Sequence, residues 1–529
     1  MLLEKYKEDT KKLNEILQSG EVHPEEKESL YKLLIDENQS NYTKYLVWQL
    51  IKKQEKLFDI ELLSRILKLP EVVTKNIFKN EPIKVKFPIA LNNGKIATAY
   101  LIPLKQDTDK LSFCIEEDIN EGLNTIKTIL KKKNKEKNFF VIFDENFTGK
   151  SFMLSVISGL LLPEENIENY AFTGVLNEEG EIFPVGYIED KKRVAKENEL
   201  KLISYEIVDT IDELIYWLGN EPVDIPFVFL IGKPKEEVIN SLKKLEKNIK
   251  QTKPYFSLKG LEKIFDLKIE NLTAYYPKFL PQLKEDEILK ENLWQEQVKK
   301  FEEKLRTINT KIEKKERIIH IALGIPVSLA MAFGIKFGVR KPAVIYHYQS
   351  DEYVPVMDLS TKRTLRKIKY IRKNIDENLN NIDVILPKQI INDKDVAVAI
   401  WLASHSPYAD VENYLKSNGK NWNILKIESK EFQGDIPFPD DFEELGKDYW
   451  IRYVSEIYSV LNILKDRYLI DRYHFFLSVP VPIGFALGMA IGHFLEGIIY
   501  SFNIGQNVKT EERYFPVFNI KDKRLRSIF

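Results

Sequence analysis

The strongest constraint on the fold is a duplicated segment within residues 316–529. Ile319 to Gly338 (IHIALGIPVSLAMAFGIKFG) aligns without a gap to Tyr473 to Gly492 (YHFFLSVPVPIGFALGMAIG) at a constant offset of 474 − 320 = 154. His320/His474, Leu323/Leu477, Pro326/Pro480, Val327/Val481, Ala332/Ala486, Gly334/Gly488 and Gly338/Gly492 coincide. The register runs on to Ile345-Tyr346 against Ile499-Tyr500, and Tyr353 to Val356 matches Tyr514 to Val517 after an insertion. Each copy reads as strand, proline loop, small-residue helix, strand. That is a Rossmann-like unit used twice, whose small residues are expected to let each helix pack closely on its own sheet. Two such units facing each other create a composite pocket at the carboxyl ends of their strands. A further strand, Val396 to Trp401, ends in a polar loop of the same type, Ala403 to Pro407. The uncharged run Phe475 to Gly492 is 18 residues long, the lower limit for a membrane span. Pro480 and Pro482 interrupt it, so the repeat explains it better than a bilayer does.

A second stretch carries reactive chemistry. In Phe139 to Leu162 (FFVIFDENFTGKSFMLSVISGLLL) a β-prone run stops at a short polar loop, and an apolar segment with helical spacing starts directly after Ser151. Gly149-Lys150-Ser151 is either the tail of a phosphate-binding loop or the nucleophile turn of a serine-lysine hydrolase. A phosphate loop needs a glycine five positions before Gly149, where this chain has Asp144, and a carboxylate there is a poor neighbour for a polyphosphate. A hydrolase needs a base for the serine hydroxyl. The six histidines, at positions 23, 320, 347, 405, 474 and 493, all lie far along the chain from it. A lysine can serve if burial leaves part of its amine neutral near pH 7.

Composition sets the frame for both. The 529 residues suggest roughly three or four domains. With 79 basic against 80 acidic residues the formal charge is −1, so no global field attracts duplex nucleic acid or an anionic membrane, and any anionic ligand needs a local site. A single cysteine, Cys114, excludes an intrachain disulfide framework and a cysteine-rich zinc site and fits a reducing cytoplasm. No metal or cofactor is expected, and the charged N-terminus, MLLEKYKEDTKK, does not read as a signal peptide. The order of patterns gives an α/β multidomain chain. A helical region (1–80) precedes an α/β domain (81–235) with a hairpin turn at Asn92-Asn93-Gly94. A charged helical stretch (236–315) forms a connector or the start of the last domain, and the duplicated unit fills 316–529.

Phe172-Thr173-Gly174, followed by Pro184-Val185-Gly186-Tyr187-Ile188-Glu189-Asp190-Lys191, resembles the signature of the Lon proteases, and Gly149-Lys150-Ser151 resembles their serine turn. The spacing of 191 − 151 = 40 is close to the family's. The resemblance implies an ATP-independent Ser-Lys endopeptidase in which Ser151 is the nucleophile, Lys191 the base and Thr173 the group that orients the amine. Lys192 competes for the role of base and Ser155 for that of nucleophile. Phe152, Met153 and Tyr187 depart from the family's small residues and glycine, and Asn146-Phe147-Thr148 from its Asp-Gly-Pro. The repeat is similar to the SAVED domain, a fusion of two CARF-like halves that senses cyclic oligonucleotides. Pro326, Ser328, Trp401, Ser404, His405, Pro480, Pro482 and Gly484 are its candidate ligand residues. Together the parts resemble the CRISPR-associated Lon proteases of type III antiviral loci. That implies cyclic tetra-adenylate as activator, head-to-tail self-association on binding it, and cleavage of a specific protein partner encoded nearby. The alternatives are a nucleotide-sensing scaffold with a degenerate protease fold, and a nucleotide triphosphatase using Gly149 to Ser151.

Overall fold

The computed structural model describes residues 2–90, 94–313, 315–370, 379–386, 394–437, 448–503 and 508–527. The chain divides into two compact units, Met1–Glu221 and Pro222–Phe529.

In the first unit β1 (Ile83–Ile89), β2 (Lys95–Pro103) and β3 (Phe139–Phe143) form an antiparallel run, and β4 (Tyr170–Phe172) extends it parallel to β1. A two-stranded hairpin of β5 (Val175–Leu176) and β6 (Ile182–Phe183) stands apart, and β7 (Lys201–Ile203) completes the five-stranded order β3-β2-β1-β4-β7. Asn92 and Asn93 of the expected hairpin turn lie outside the described residues, but the strands on either side pair from Ile83↔Leu101 to Ile89↔Lys95. All five residues of β3 are buried, because both faces of the strand are covered. Phe140 and Ile142 join Trp48, Ile77 and Phe78 of the N-terminal helices in one core. Phe143 instead meets Phe87, Phe147 and Phe152 in a cluster of near-perpendicular rings. Residues 1–80, expected as a separate helical region, therefore share a core with the sheet. Among their helices, α1 (Asn41–Lys53) is capped by Ser40, whose side chain accepts from the Thr43 amide at 3.1 Å.

The second unit holds two sheets of matching order. In the first, β8 (Val223–Ile231), β9 (Thr273–Tyr276), β10 (Arg317–Gly324), β11 (Ala343–Gln349) and β12 (Glu352–Leu359) run β12-β11-β10-β8-β9. In the second, β13 (Ile382–Ile385), β14 (Asp395–Trp401), β15 (Asn423–Ser429), β16 (Arg472–Ser478), β17 (Gly497–Phe502) and β18 (Tyr514–Asn519) run β13-β15-β14-β16-β17-β18. The last pair of each sheet is antiparallel, with a register shift at Ile345/Tyr346 in one copy and at Ile499/Tyr500 in the other. The duplication thus reaches down to a β-bulge.

Two expectations are corrected here. Residues 227–231, assigned from sequence to the α/β domain ending at 235, belong to β8, which pairs with β10 from Val223↔Arg317 to Leu230↔Gly324. All nine residues of β8 are buried, so it needs strands on both sides and finds them in β10 and β9. The stretch 236–315 supplies β9 and four helices of this same unit, the first of them starting at Lys235, so the duplicated part begins near Pro222 and not at 316. Second, the small residues of helices Val327–Phe337 and Val481–Ile491 serve a helix-helix contact as well as packing on a sheet. A Cβ on Gly334 would lie 1.9 Å from the Phe485 carbonyl oxygen, and one on Gly488 would lie 2.0 Å from that of Met331. Since 334 + 154 = 488 and 331 + 154 = 485, the two contacts are one contact seen from either copy, the signature of a pseudo-two-fold axis. Among the described residues no helix is long and apolar enough to cross a membrane.

Candidate functional site

The β3 strand ends at Phe143, and the segment 144–152 turns the chain into the helix Met153–Leu161. Gly149 takes a left-handed φ of 79° in that turn, and Ser151 follows it half-buried. The strand β4 runs into Thr173 and Gly174, which dock on this turn. The Gly174 amide donates to the Ser151 carbonyl at 2.9 Å, and the Leu154 amide donates to the Gly174 carbonyl at 3.2 Å. Lys191 sits in the first turn of the helix Ile188–Glu197, 6% exposed. Its Nζ donates to Thr173 Oγ1 at 3.2 Å, and that hydroxyl lies 3.5 Å from the Ser151 carbonyl oxygen. Ser151, Thr173 and Lys191 are thus brought to one place from three separate elements, and Ser151 and Lys191 line one cavity of about 720 Å³. Burial, with no carboxylate pairing to offset it among the described residues, pushes the Lys191 amine down to about 8.

The competing residues stand elsewhere. Lys192 is paired with Glu189 at 2.7 Å and Glu206 at 2.8 Å, bonds that hold its amine charged well above the ordinary lysine range. Ser155 is fully buried and spends its hydroxyl on the Phe152 carbonyl at 2.6 Å. Lys150 pairs with Glu121 at 2.7 Å. Asp144 accepts the Thr98 amide at 2.7 Å, so it belongs to the sheet edge.

The departures from the Lon pattern have local reasons. Phe152 fits because the helix Glu117–Lys132 presents Gly122 beneath it, where an added Cβ would stand 2.9 Å from Phe152 Cζ and 3.2 Å from Met153 Cγ. Tyr187 has a left-handed φ of 56°, the conformation a glycine adopts without strain. Its ring is 66% exposed beside the cavity. Sequence reasoning missed one wall altogether. Glu37, Asn38, Gln39 and Ser40, just ahead of α1, line the same cavity, and the Tyr42 amide donates to Asn146 Oδ1 at 3.3 Å. No periodicity signals such a contact, which spans about a hundred residues of chain.

In the second unit the candidate ligand residues gather at the carboxyl ends of strands. Pro326 and Pro480 are the N-caps of their helices, with φ of −56° and −54°. Ser328 is fully buried with no hydroxyl partner among the described residues, and Pro482 is buried. Gly484 is spent on the helix pair, since a Cβ there would meet Val327 Cγ2 at 2.6 Å. This contact sets the two proline loops side by side. Trp401 ends β14, donates its indole N–H to the Ala403 carbonyl at 2.7 Å and meets Tyr408 edge-on at 5.7 Å. Ser404 and His405 are exposed on the following loop. His405 Nε2 lies 2.8 Å from Asp410 Oδ2, its ring is 4.6 Å from that of Phe502, and Ser478 donates to its carbonyl. Asp410 also holds Arg513 at 3.1 Å. The sequence reading did not include Asp410, Arg513 or Phe502, which come from three different elements. His320 is a satisfied core residue, between Tyr346 Oη at 2.9 Å and Asp224 Oδ1 at 2.8 Å. His474 bonds Tyr500 Oη at 3.1 Å and stacks on Trp422 at 3.6 Å, and burial pushes it down to about 3.

Two Rossmann-like halves joined through paired helices, with proline loops at one end, make up the α/β architecture of the second unit. Residues 371–520 match the SAVED family, described as the SMODS-associated and fused to various effectors sensor domain. The chain therefore carries a SAVED domain in its second unit. Among solved structures, an Acinetobacter baumannii Cap4 SAVED/CARF-domain containing receptor with the cyclic trinucleotide 3'3'3'-cAAA aligns at 11% identity over 77% of this chain and 78% of its own, with a TM-score of 0.35. A Moraxella osloensis Cap4 SAVED/CARF-domain containing receptor aligns at 14% identity over 43% of this chain and 42% of its own, with a TM-score of 0.27. Likenesses of that size carry no argument about this chain. Comparison with curated proteins finds no match.

Proposed function

We propose that this chain is a serine-lysine endopeptidase switched on by a cyclic oligoadenylate, cyclic tetra-adenylate first among them, that cuts a specific protein partner in type III CRISPR antiviral signalling. The observation that carries the reading is the buried Lys191 amine on Thr173, in the cavity that Ser151 also lines. With an amine near 8, roughly a tenth is neutral at pH 7. That fraction can take the proton of Ser151 as its Oγ attacks a peptide carbonyl and return it to the leaving amine. The Met153 amide is bonded to the Lys150 carbonyl at 3.1 Å, so the Ser151 and Phe152 amides are the candidates to hold the oxyanion. The SAVED domain, by its description a sensor fused to effectors, supports a ligand-gated activity. In that role helix N-termini at the proline loops bind phosphates, Trp401 stacks a base, and Ser404 and His405 bond base edges or phosphate.

Candidate substrates from the gene neighbourhood are incubated with the parent chain, Ser151→Ala and Lys191→Ala, with and without cyclic tetra-adenylate. Cleavage only by the parent with ligand is expected; cleavage by Ser151→Ala would sink the dyad. A nucleotide-sensing scaffold is the second reading, favoured by the bonding of Lys191 to Thr173 and not to Ser151. Under it, Lys191→Ala leaves every ligand response intact.

A further inference from the structure

The same unit has a cavity that the proposed function does not use. It is about 530 Å³ in volume and is lined by Val339, Arg340, Lys362, Leu365, Arg366, Lys369 and Tyr370. Four of the seven are cations and none is acidic. Arg340, Lys362 and Arg366 are exposed, and among the described residues none of the four forms an ion pair. The cavity lies where the helix Val327–Phe337 ends and β12 gives way to the helix Lys362–Lys367. This is the opposite end of the sheet from the proline loops.

Such a concentration of charge is unexpected in a chain of net charge −1, and the duplication supplies an internal control. The corresponding corner of the second copy also carries cations, but they are spent on the chain itself. Arg524 pairs with Asp522 and donates to the Lys290 and Leu289 carbonyls at 3.2 and 3.1 Å, and Lys521 donates to the His493 carbonyl at 2.6 Å. The second copy thus spends its cations on the chain, whereas these four have no carboxylate partner among the described residues. Lys369 is costly to keep, since burial lowers its amine below the ordinary lysine range; among the described residues the Phe494 ring at 4.3 Å and the Tyr458 ring at 5.9 Å stand over it.

We propose that this basic cavity binds the phosphodiester backbone of a single-stranded oligonucleotide. Two guanidiniums give the bidentate geometry that phosphate takes best. Tyr370 and Phe494, 65% and 66% exposed, stand by Lys369 as flat apolar surfaces for bases to stack on. An acidic peptide would meet the charges but would leave these two rings in water. The site is separate from the dyad and from the proline loops, so it stands whether or not the chain is a protease.

The test is fluorescence anisotropy of a labelled oligoadenylate strand with the full chain across a salt series. Expected is salt-dependent binding that Arg340→Ala/Arg366→Ala weakens by at least about tenfold, with the log-log salt slope falling by about 0.7 for each phosphate no longer neutralised. Arg340→Lys should retain the slope. Lys362→Glu, a single exposed change, repeats the measurement should the double variant fail to fold. No binding by the parent, or variants that bind as tightly as the parent with the same slope, overturns the proposal. So does competition by polyglutamate at equal charge concentration, which would make the partner an acidic protein.

Discussion

Lys191 is the residue on which the proposed chemistry turns, because in that proposal its protonation sets rate as well as stability. Its folded value near 8 lies below the ordinary 10.5, so between these the unfolded chain binds the extra proton. The residue's contribution to stability is therefore least below pH 8 and rises as pH climbs from 8 towards 10.5. In the proposed reaction, activity follows the same loss of proton. The rate at subsaturating substrate should rise along a limb centred near pH 8 and level off above it, and Thr173→Val should shift that limb while leaving the protein folded. A flat profile from pH 6 to 9 would remove Lys191 from the mechanism. Phe152 makes a second residue-scale case. Gly122→Val should destabilise the first unit by about 1–3 kcal/mol in urea unfolding, since its side chain must enter the Phe152 ring. Adding Phe152→Leu should recover part of that loss, a coupling that distant sites would not show.

At the scale of elements, the sequence showed more of the second unit than of the first. A gapless repeat reports strand, loop and helix together, so β10 and β16 and their helices followed from residue identities alone, while the paired bulges emerged only with the strand pairing. What escaped was the sheet to which β8 belongs; its correspondence to β14 rests on Asp224 and Asp395, the one polar position each turns towards a histidine. Apolar strands are nearly interchangeable in sequence, so their sheet is decided by neighbours that a local pattern cannot see. In the first unit Ser151, Thr173 and Lys191 were legible through spacing, whereas the Glu37 to Ser40 wall was not, because tertiary packing alone brings it there. The helix pair offers a test. Gly334→Ala and Gly488→Ala each push a methyl into partner backbone, and each should lose about 1–3 kcal/mol. The double variant should lose less than the sum, because one separation of the helices relieves both. Gly186→Ala, with nothing within 4 Å of the added carbon, should stay within about 0.5 kcal/mol of the parent.

For the molecule as a whole, the proposed chemistry and the proposed recognition fall in different units. Ligand binding should then raise the melting transition of residues 222–529, by about 2.7 kcal/mol at a hundredfold excess over Kd. Calorimetry of the Ser151→Ala chain resolves whether that transition moves on adding cyclic tetra-adenylate. A shift confined to the transition of residues 1–221 would overturn the assignment of the ligand to the SAVED unit.

The glycine-to-backbone contact between the paired helices has a consequence for how the sensor could change over time. The arrangement is the one a homodimer of a single half would have, but here the halves are covalently one chain and each can mutate alone. Ser328 in one loop already stands against Pro482 in the other. A true homodimer offers a ring-shaped ligand two identical sides; this tethered pair offers an uneven mouth, able to favour a ligand bound in one orientation. The glycines at the crossing are the part that cannot diverge, since a side chain on either one would force the halves apart.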